Sequence, residues 1–209
     1  MSRIQLPRQD HYEVALRTAV GRFTERLDSD RLRELGADIL PAGGIELPSL
    51  CWRFGITLDP FSLRLLPAGE SVNVVWQVLV LEYLSAGRPR PPARFMSFAD
   101  FPQARGYLKA FEARVIQRIS GGVGSEAGRF EPAAERCGGI RGASRPLTFL
   151  FAFFPRFELQ VVRHEGDEEF PPLCNVFFPD NAPDLLSPES MAVAAERLIA
   201  SLEGRTPAG

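Results

Sequence analysis

Lysine is almost missing from this chain. Lys109 stands alone among 24 basic residues, and arginine supplies the rest. With 26 acidic residues the formal net charge is −2, so the basic face that an electrostatic nucleic-acid binder needs is absent. Arginine forks suit planar carboxylate and phosphate groups, although the codon bias of a GC-rich genome accounts for the same count. Histidine is nearly as scarce, with only His11 and His164, so no multi-histidine metal site can close within one chain. Cys51, Cys137 and Cys174 are odd in number, far apart and without a C-x-x-C pair. That spacing speaks against a disulfide framework or a tetrathiolate centre. The expectation is no metal and no cofactor.

Long apolar runs are lacking too. "VVWQVLVL" (74–81) and "LTFLFAFF" (147–154) fall far short of the roughly 20 residues of a membrane span. The start, "MSRIQLPRQDHYEV", offers no apolar core for a signal peptide. These absences read as a soluble, reduced, cytoplasmic protein that engages neither membrane nor nucleic acid. No G-x-S-x-G elbow and no G-x-x-x-x-G-K-[ST] loop occurs, and "GGVGSEAG" (121–128) reads as a flexible joint rather than a phosphate cradle.

What is present is a globular composition: 209 residues, 45% hydrophobic and 24% charged, enough for one domain with a substantial core. Asp10 and Glu13 resemble a capping box ahead of a helix carrying Tyr12, Leu16, Ala19, Val20, Phe23 and Leu27. A short second helix spans Ser29 to a stop at Gly36. Residues 37–66 change to period two, as a meander of short antiparallel strands, with "LCWRFGITL" read as one strand. "VNVVWQVLVLEYLSAG" (72–87) is apolar on nearly every side and reads as a buried central helix. "RPRPP" (88–92) must be extended. One helix is predicted from Gln103 to Ile119, and a shorter one over "EPAAERCGG" with Pro132 in its first turn. Strands follow near 147–154, 157–163 and 173–178, then a last helix capped by Ser187, with Pro188 first and Met191, Ala195, Leu198, Ile199 and Leu202 on one side. Runs of strands rather than strict alternation predict an α+β fold of mainly antiparallel sheets packed with helices. The expectation is a single domain over 1–209, its core at about 10–203 between short flexible termini.

"RFMSFADFPQARGYLKAFEARVI" (94–116) and "HEGDEEFPPLCNVFFPDNAPDLLSPESMAVAAERLI" (164–199) give the chain a familiar look. It resembles the bacterial and archaeal family called domain of unknown function 3786, from about Asp10 to Leu202. "GDEEFPP" with the following apolar strand and "LSPES" helix start carries most of the likeness. The resemblance implies an uncharacterised protein. Some members resemble fusions to a small iron–sulfur domain found in corrinoid proteins, which implies a place in corrinoid or anaerobic one-carbon metabolism. This chain lacks their four-cysteine segment.

The candidate site is "RHEGDEEFPP" (163–172), with His164, Glu165, Asp167, Glu168, Glu169, Phe170 and Pro171. Its carboxylates lack the D-x-D-x-D-G spacing of a calcium loop. They read as a solvated turn between strands, as a clamp on the chain's own arginines, or as an acidic lip for a cation or basic partner. A Phe170–Pro171 cis bond is open. Cys174 and His164 could meet across neighbouring strands. The reading is a non-catalytic module for an unknown small molecule or protein partner. The alternative is a hydrolase-like enzyme using the acidic loop Glu165–Glu169, with Asp167 or Glu168 as general base and His164 nearby.

Overall fold

A computed structural model of the chain describes residues 8–41, 43–143 and 145–208, with side chains from Val14 onward. The side chains of Asp10, His11, Tyr12 and Glu13, including the expected capping box, lie outside it. Helix α1 runs Arg8–Glu25 and so begins two residues before the expected cap. Its Phe23 is buried, whereas Leu27, assigned to the same stripe by periodicity, lies beyond the helix and is exposed. Asp28 caps α2 (Ser29–Glu34) by accepting from the Arg31 amide, and Gly36 turns the chain at φ +84°.

Strands β1 (Asp38–Ile39), β2 (Ile45–Ser49), β3 (Trp52–Leu58), β4 (Phe61–Leu66) and β5 (Glu70–Ser71) form an antiparallel meander in that order. Leu47, Phe54, Ile56, Leu63 and Leu65 alternate inward. The run expected as one strand from Leu50 is broken, because Leu50 and Cys51 form the tight turn between β2 and β3.

Helix α3 (Val74–Leu84), capped by Asn73, is apolar around most of its circumference and buries Trp76, Leu79, Val80, Leu81, Tyr83 and Leu84. It can be buried on so many sides because sheets and α1 surround it. Trp76 stacks on Phe153 of the second sheet (ring centroids 5.1 Å apart) and tilts against Phe54 of the first (5.5 Å).

The second sheet has the order β6-β10-β9-β8-β7, all antiparallel, from β6 (Phe95–Ser97), β7 (Ile140–Arg141), β8 (Leu147–Phe154), β9 (Phe157–His164) and β10 (Leu173–Pro179). The two edge strands are too short to show a period in the sequence. The helix expected over 103–119 is instead composite. A 3-10 stretch (Pro102–Tyr107) leads into α4 (Leu108–Phe111), a π turn (Glu112–Ile116) and α5 (Gln117–Gly121). Phe111, Val115 and Ile119, spaced i, i+4, i+8, lie on the buried face of this segment. Helix α6 (Ala127–Arg136) starts earlier than predicted, so Pro132 falls inside it rather than in its first turn.

Helix α7 (Pro188–Leu202) follows its sequence signals closely. Ser187 accepts from the Ser190 amide, Pro188 occupies the first turn, and Met191, Ala195, Leu198, Ile199 and Leu202 are buried. A carboxylate from α3 reinforces the cap: Glu82 accepts from the Ser187 amide (2.7 Å) and the Ser190 hydroxyl. One hydrophobic cluster runs from Phe23 to Leu202 and includes both sheets, giving the α+β class that the element order predicts. No described helix is long and apolar enough to cross a membrane. Leu198→Ala should destabilise the protein by about 2–4 kcal/mol through lost burial and the cavity left behind. Denaturant melting checks this; a loss below about half a kcal/mol would place α7 outside the cooperative core.

Candidate functional site

The acidic stretch connects β9 to β10, whose register pairs His164 with Leu173 and Arg163 with Cys174. Gly166 is required there, since a Cβ would lie 2.7 Å from Pro172 Cδ and N and 2.8 Å from Phe170 O. Asp167 turns the chain. Its Oδ1 accepts from the amides of Glu169 (2.9 Å) and Phe170 (2.7 Å), and its own amide donates to Phe170 O (2.9 Å). Those two amides hold the Asp167 carboxyl below the usual carboxylate range. Glu168, Glu169, Phe170 and Pro171 face solvent. The cis peptides are Asp59–Pro60, Leu66–Pro67 and Arg145–Pro146, so Phe170–Pro171 is not one of them.

His164 and Cys174 do not meet. Inward positions on β9 are Phe157, Leu159, Val161 and Arg163, so His164 falls on the solvent face. Cys174 points inward, fully buried, and burial raises its thiol to about 11.

Arg163 is the residue the sequence reading passed over. Its side chain is only 3% exposed. Nε donates to Gly124 O (2.8 Å) and Nη2 to Ser125 O (3.2 Å). Nη1 makes no hydrogen bond of good geometry, and its contact is the Glu165 carboxylate at 2.6 Å. Glu165 itself is 73% exposed, and this short hydrogen-bonding contact from Arg163, helped by its charge, holds its carboxyl below the usual range.

The segment expected as a flexible joint makes this cradle. Val123 and Gly124 are buried in a 3-10 turn. Gly124 lies so close to β10 that a Cβ would be 2.5 Å from Cys174 Sγ and 2.8 Å from Ile119 O. The two carbonyls that pin the guanidinium therefore depend on glycine. The only warning in the sequence was parity, because Arg163 stands in phase with the inward apolar residues of its strand.

A cleft of about 690 Å³ opens over this arginine, with Arg141, Arg145, Leu147 and His164 on its walls beside Glu131 and Glu165. Arg141 is paired with Glu131. Among the described residues Arg145 has no carboxylate within ion-pair distance, yet its charge helps to depress Glu165. Of the sequence candidates, only His164 and Glu165 line this cleft. A second cleft, of about 510 Å³, lies between the "RPRPP" segment, Pro155, Arg156 and Asn181. Behind it Asp180 accepts from the Ala93 amide and from Arg90, and Asn181 Nδ2 donates to Arg90 O, while Asn181 Oδ1 is buried without a partner. The described residues contain no group of three or more metal-ligating side chains.

Two outcomes follow from this geometry. Gly124→Ala should cost about 1–3 kcal/mol by overpacking against β10, measured by denaturant melting; a silent substitution would show that the cradle yields freely. The Glu169 and Phe170 amide proton shifts should titrate together, with a midpoint below that of a free aspartate. Because the folded-state value is depressed, the turn stays capped above the ordinary carboxylate range and is released only as pH falls through the lowered one. Asp167→Ala should abolish that shared titration.

No curated protein and no solved structure matches the chain. The family model described as Domain of unknown function (DUF3786) matches residues 29–201, beginning at α2 rather than at the Asp10 expected from the resemblance. The chain belongs to that family.

Proposed function

We propose that this protein is a non-catalytic binding module that takes a small anion, a carboxylate or phosphate group, in the cleft floored by Arg163. The observation that carries the reading is a buried guanidinium pinned by two main-chain carbonyls, with its remaining nitrogen covered by one exposed carboxylate. An arginine whose geometry is already fixed loses little entropy on gripping a ligand. Glu165 occupies the place of the ligand and, being 73% exposed, has water to replace the arginine when a ligand displaces it. Arg145 adds positive potential at the rim, where it is screened by salt, while the charge of Arg141 is offset by Glu131. A place beside corrinoid or anaerobic one-carbon metabolism enters this reading through family resemblance alone.

The enzymatic alternative has less to support it. A general base working near neutral pH needs a raised carboxyl pKa. Glu165 and Asp167 are both displaced downward instead. Asp167 has its accepting oxygen committed to two amides, and His164 lies on the solvent face of its strand.

Titration calorimetry with inorganic phosphate and with succinate, at low ionic strength, tests the proposal. Wild type should bind at least one of them, weakly and with salt dependence. Glu165→Gln should bind more tightly, by about three- to tenfold, because it removes a competing charge. Arg145→Ala should bind more weakly than wild type. If neither anion saturates, or if Glu165→Gln leaves the affinity unchanged, the cleft is not the binding site.

A further inference from the structure

The turn between β2 and β3 is made by Leu50 and Cys51, with Ser49 paired to Trp52 across it. Leu50 has φ +54°, a left-handed conformation that is uncommon for a bulky side chain and is held only where the surroundings fix it. Here they do. The Leu50 amide donates to Ala152 O (2.9 Å) and Ser49 Oγ to Phe153 O (2.6 Å), both in β8 of the other sheet.

The end of α6 arrives at the same place. Cys137 is its C-terminal cap, bonded through its amide to the Ala133 and Ala134 carbonyls. Gly138 then turns the chain at φ +79°, so near the hairpin that a Cβ would lie 3.4 Å from Leu50 C and O and 3.6 Å from Cys51 N. Two cysteines distant in sequence are thereby brought to one place, close enough for each thiol to shift the other's ionisation. Both are free thiols, Cys51 exposed and Cys137 only 4% exposed.

We propose that Cys51 and Cys137 form a thiol–disulfide exchange site, in which Cys51 meets a low-molecular-weight disulfide and Cys137 resolves the adduct. In the first step the Cys51 thiolate attacks one sulfur of the external disulfide, forming a mixed disulfide and expelling one thiolate. In the second, Cys137 gives up its proton and attacks the Cys51 sulfur, forming the internal disulfide and expelling the second thiolate. The two cysteines lose two electrons and two protons, and the external disulfide gains them as two thiols.

The division of labour follows from the surroundings. Cys51 reaches solvent while Cys137 does not, and the Cys137 thiol beside it lowers its own to about 7, which makes Cys51 the nucleophile of the pair. Cys137 is driven the other way, by Cys51 first and then by burial, with Arg136 opposing weakly. Once Cys51 is capped as a mixed disulfide its negative charge is gone, and Cys137 is free to ionise. The resulting bond would tie the hairpin of the first sheet to the end of α6. Cys174, buried under Gly124 with a raised thiol pKa, takes no part.

The test is to equilibrate the full reduced chain with reduced and oxidised glutathione, quench in acid, alkylate, and map peptides by mass spectrometry. Wild type should yield a Cys51–Cys137 linked peptide with Cys174 alkylated, and a mass lower by two hydrogens. Cys137→Ser should stop at a glutathione adduct on Cys51. Cys51→Ser should leave Cys137 and Cys174 reduced. Iodoacetamide should label wild-type Cys51 at least about tenfold faster than Cys174 at neutral pH, with a rate that rises through a midpoint near 7. Wild type that halts at the Cys51 adduct, pairs Cys51 between two chains, or links Cys137 only after denaturation would overturn the proposal. The wild-type map decides it even if a variant folds poorly.

Discussion

Trp76 is the joint on which the two sheets depend. Its ring lies parallel to Phe153, with an interplanar angle of 5°, while its other side meets Phe54. One residue of α3 thus touches the inner face of each sheet, and helix packing propagates outward from there. Tyr83, two turns on, stacks on Phe154 and donates its hydroxyl to Leu35 O while accepting from the Arg156 amide. Those bonds fix α2 and the β8–β9 turn against the same helix. Glu82, on the neighbouring face, caps α7. Helix α3 thus ties both sheets, α2 and the cap of the C-terminal helix to one element. Its placement explains why a helix without a polar side belongs in a chain of this size.

The same arrangement determines which residues could be read from the sequence. Strands long enough to alternate, such as β3, β8, β9 and β10, announce themselves, and so does α7, whose cap, proline and apolar stripe all agree. What escaped was local structure set by distant partners. The Leu50–Cys51 turn carries no glycine or asparagine, so nothing in "LCWRFGITL" marks a reversal. Leu50 is held in its conformation by a carbonyl of β8, a contact no local window contains. The π turn at Glu112–Ile116 hides in the same way, because a one-residue insertion barely disturbs an apolar stripe.

The site was legible in part. The carboxylates of "GDEEFPP" attract attention, yet the geometry gives Asp167 a turn to cap and leaves Glu168 and Glu169 in water. The residue beneath them mattered more. Arg163 could have been singled out by asking which face of β9 each side chain occupies, since Phe157, Leu159 and Val161 set the parity. The glycine-rich joint could not have been assigned its role from the sequence. Its function as a carbonyl cradle requires knowing that it folds back over β10.

A buried arginine also needs a reason to persist. Taking a guanidinium out of water costs several kcal/mol, and even a well-made buried pair is often no more stable than apolar residues of similar size. The other inward positions of β9 show that this strand accepts Phe, Leu and Val without difficulty. At Arg163 the fold instead supplies two carbonyls that neutral packing would not require, and closes the third nitrogen with a carboxylate that is itself exposed. A carboxylate serving stability alone would gain from being buried and fully hydrogen-bonded with its partner. Glu165 has neither feature. The arrangement buries the cation and leaves its counter-charge in solvent, which is the asymmetry the proposed anion site would require.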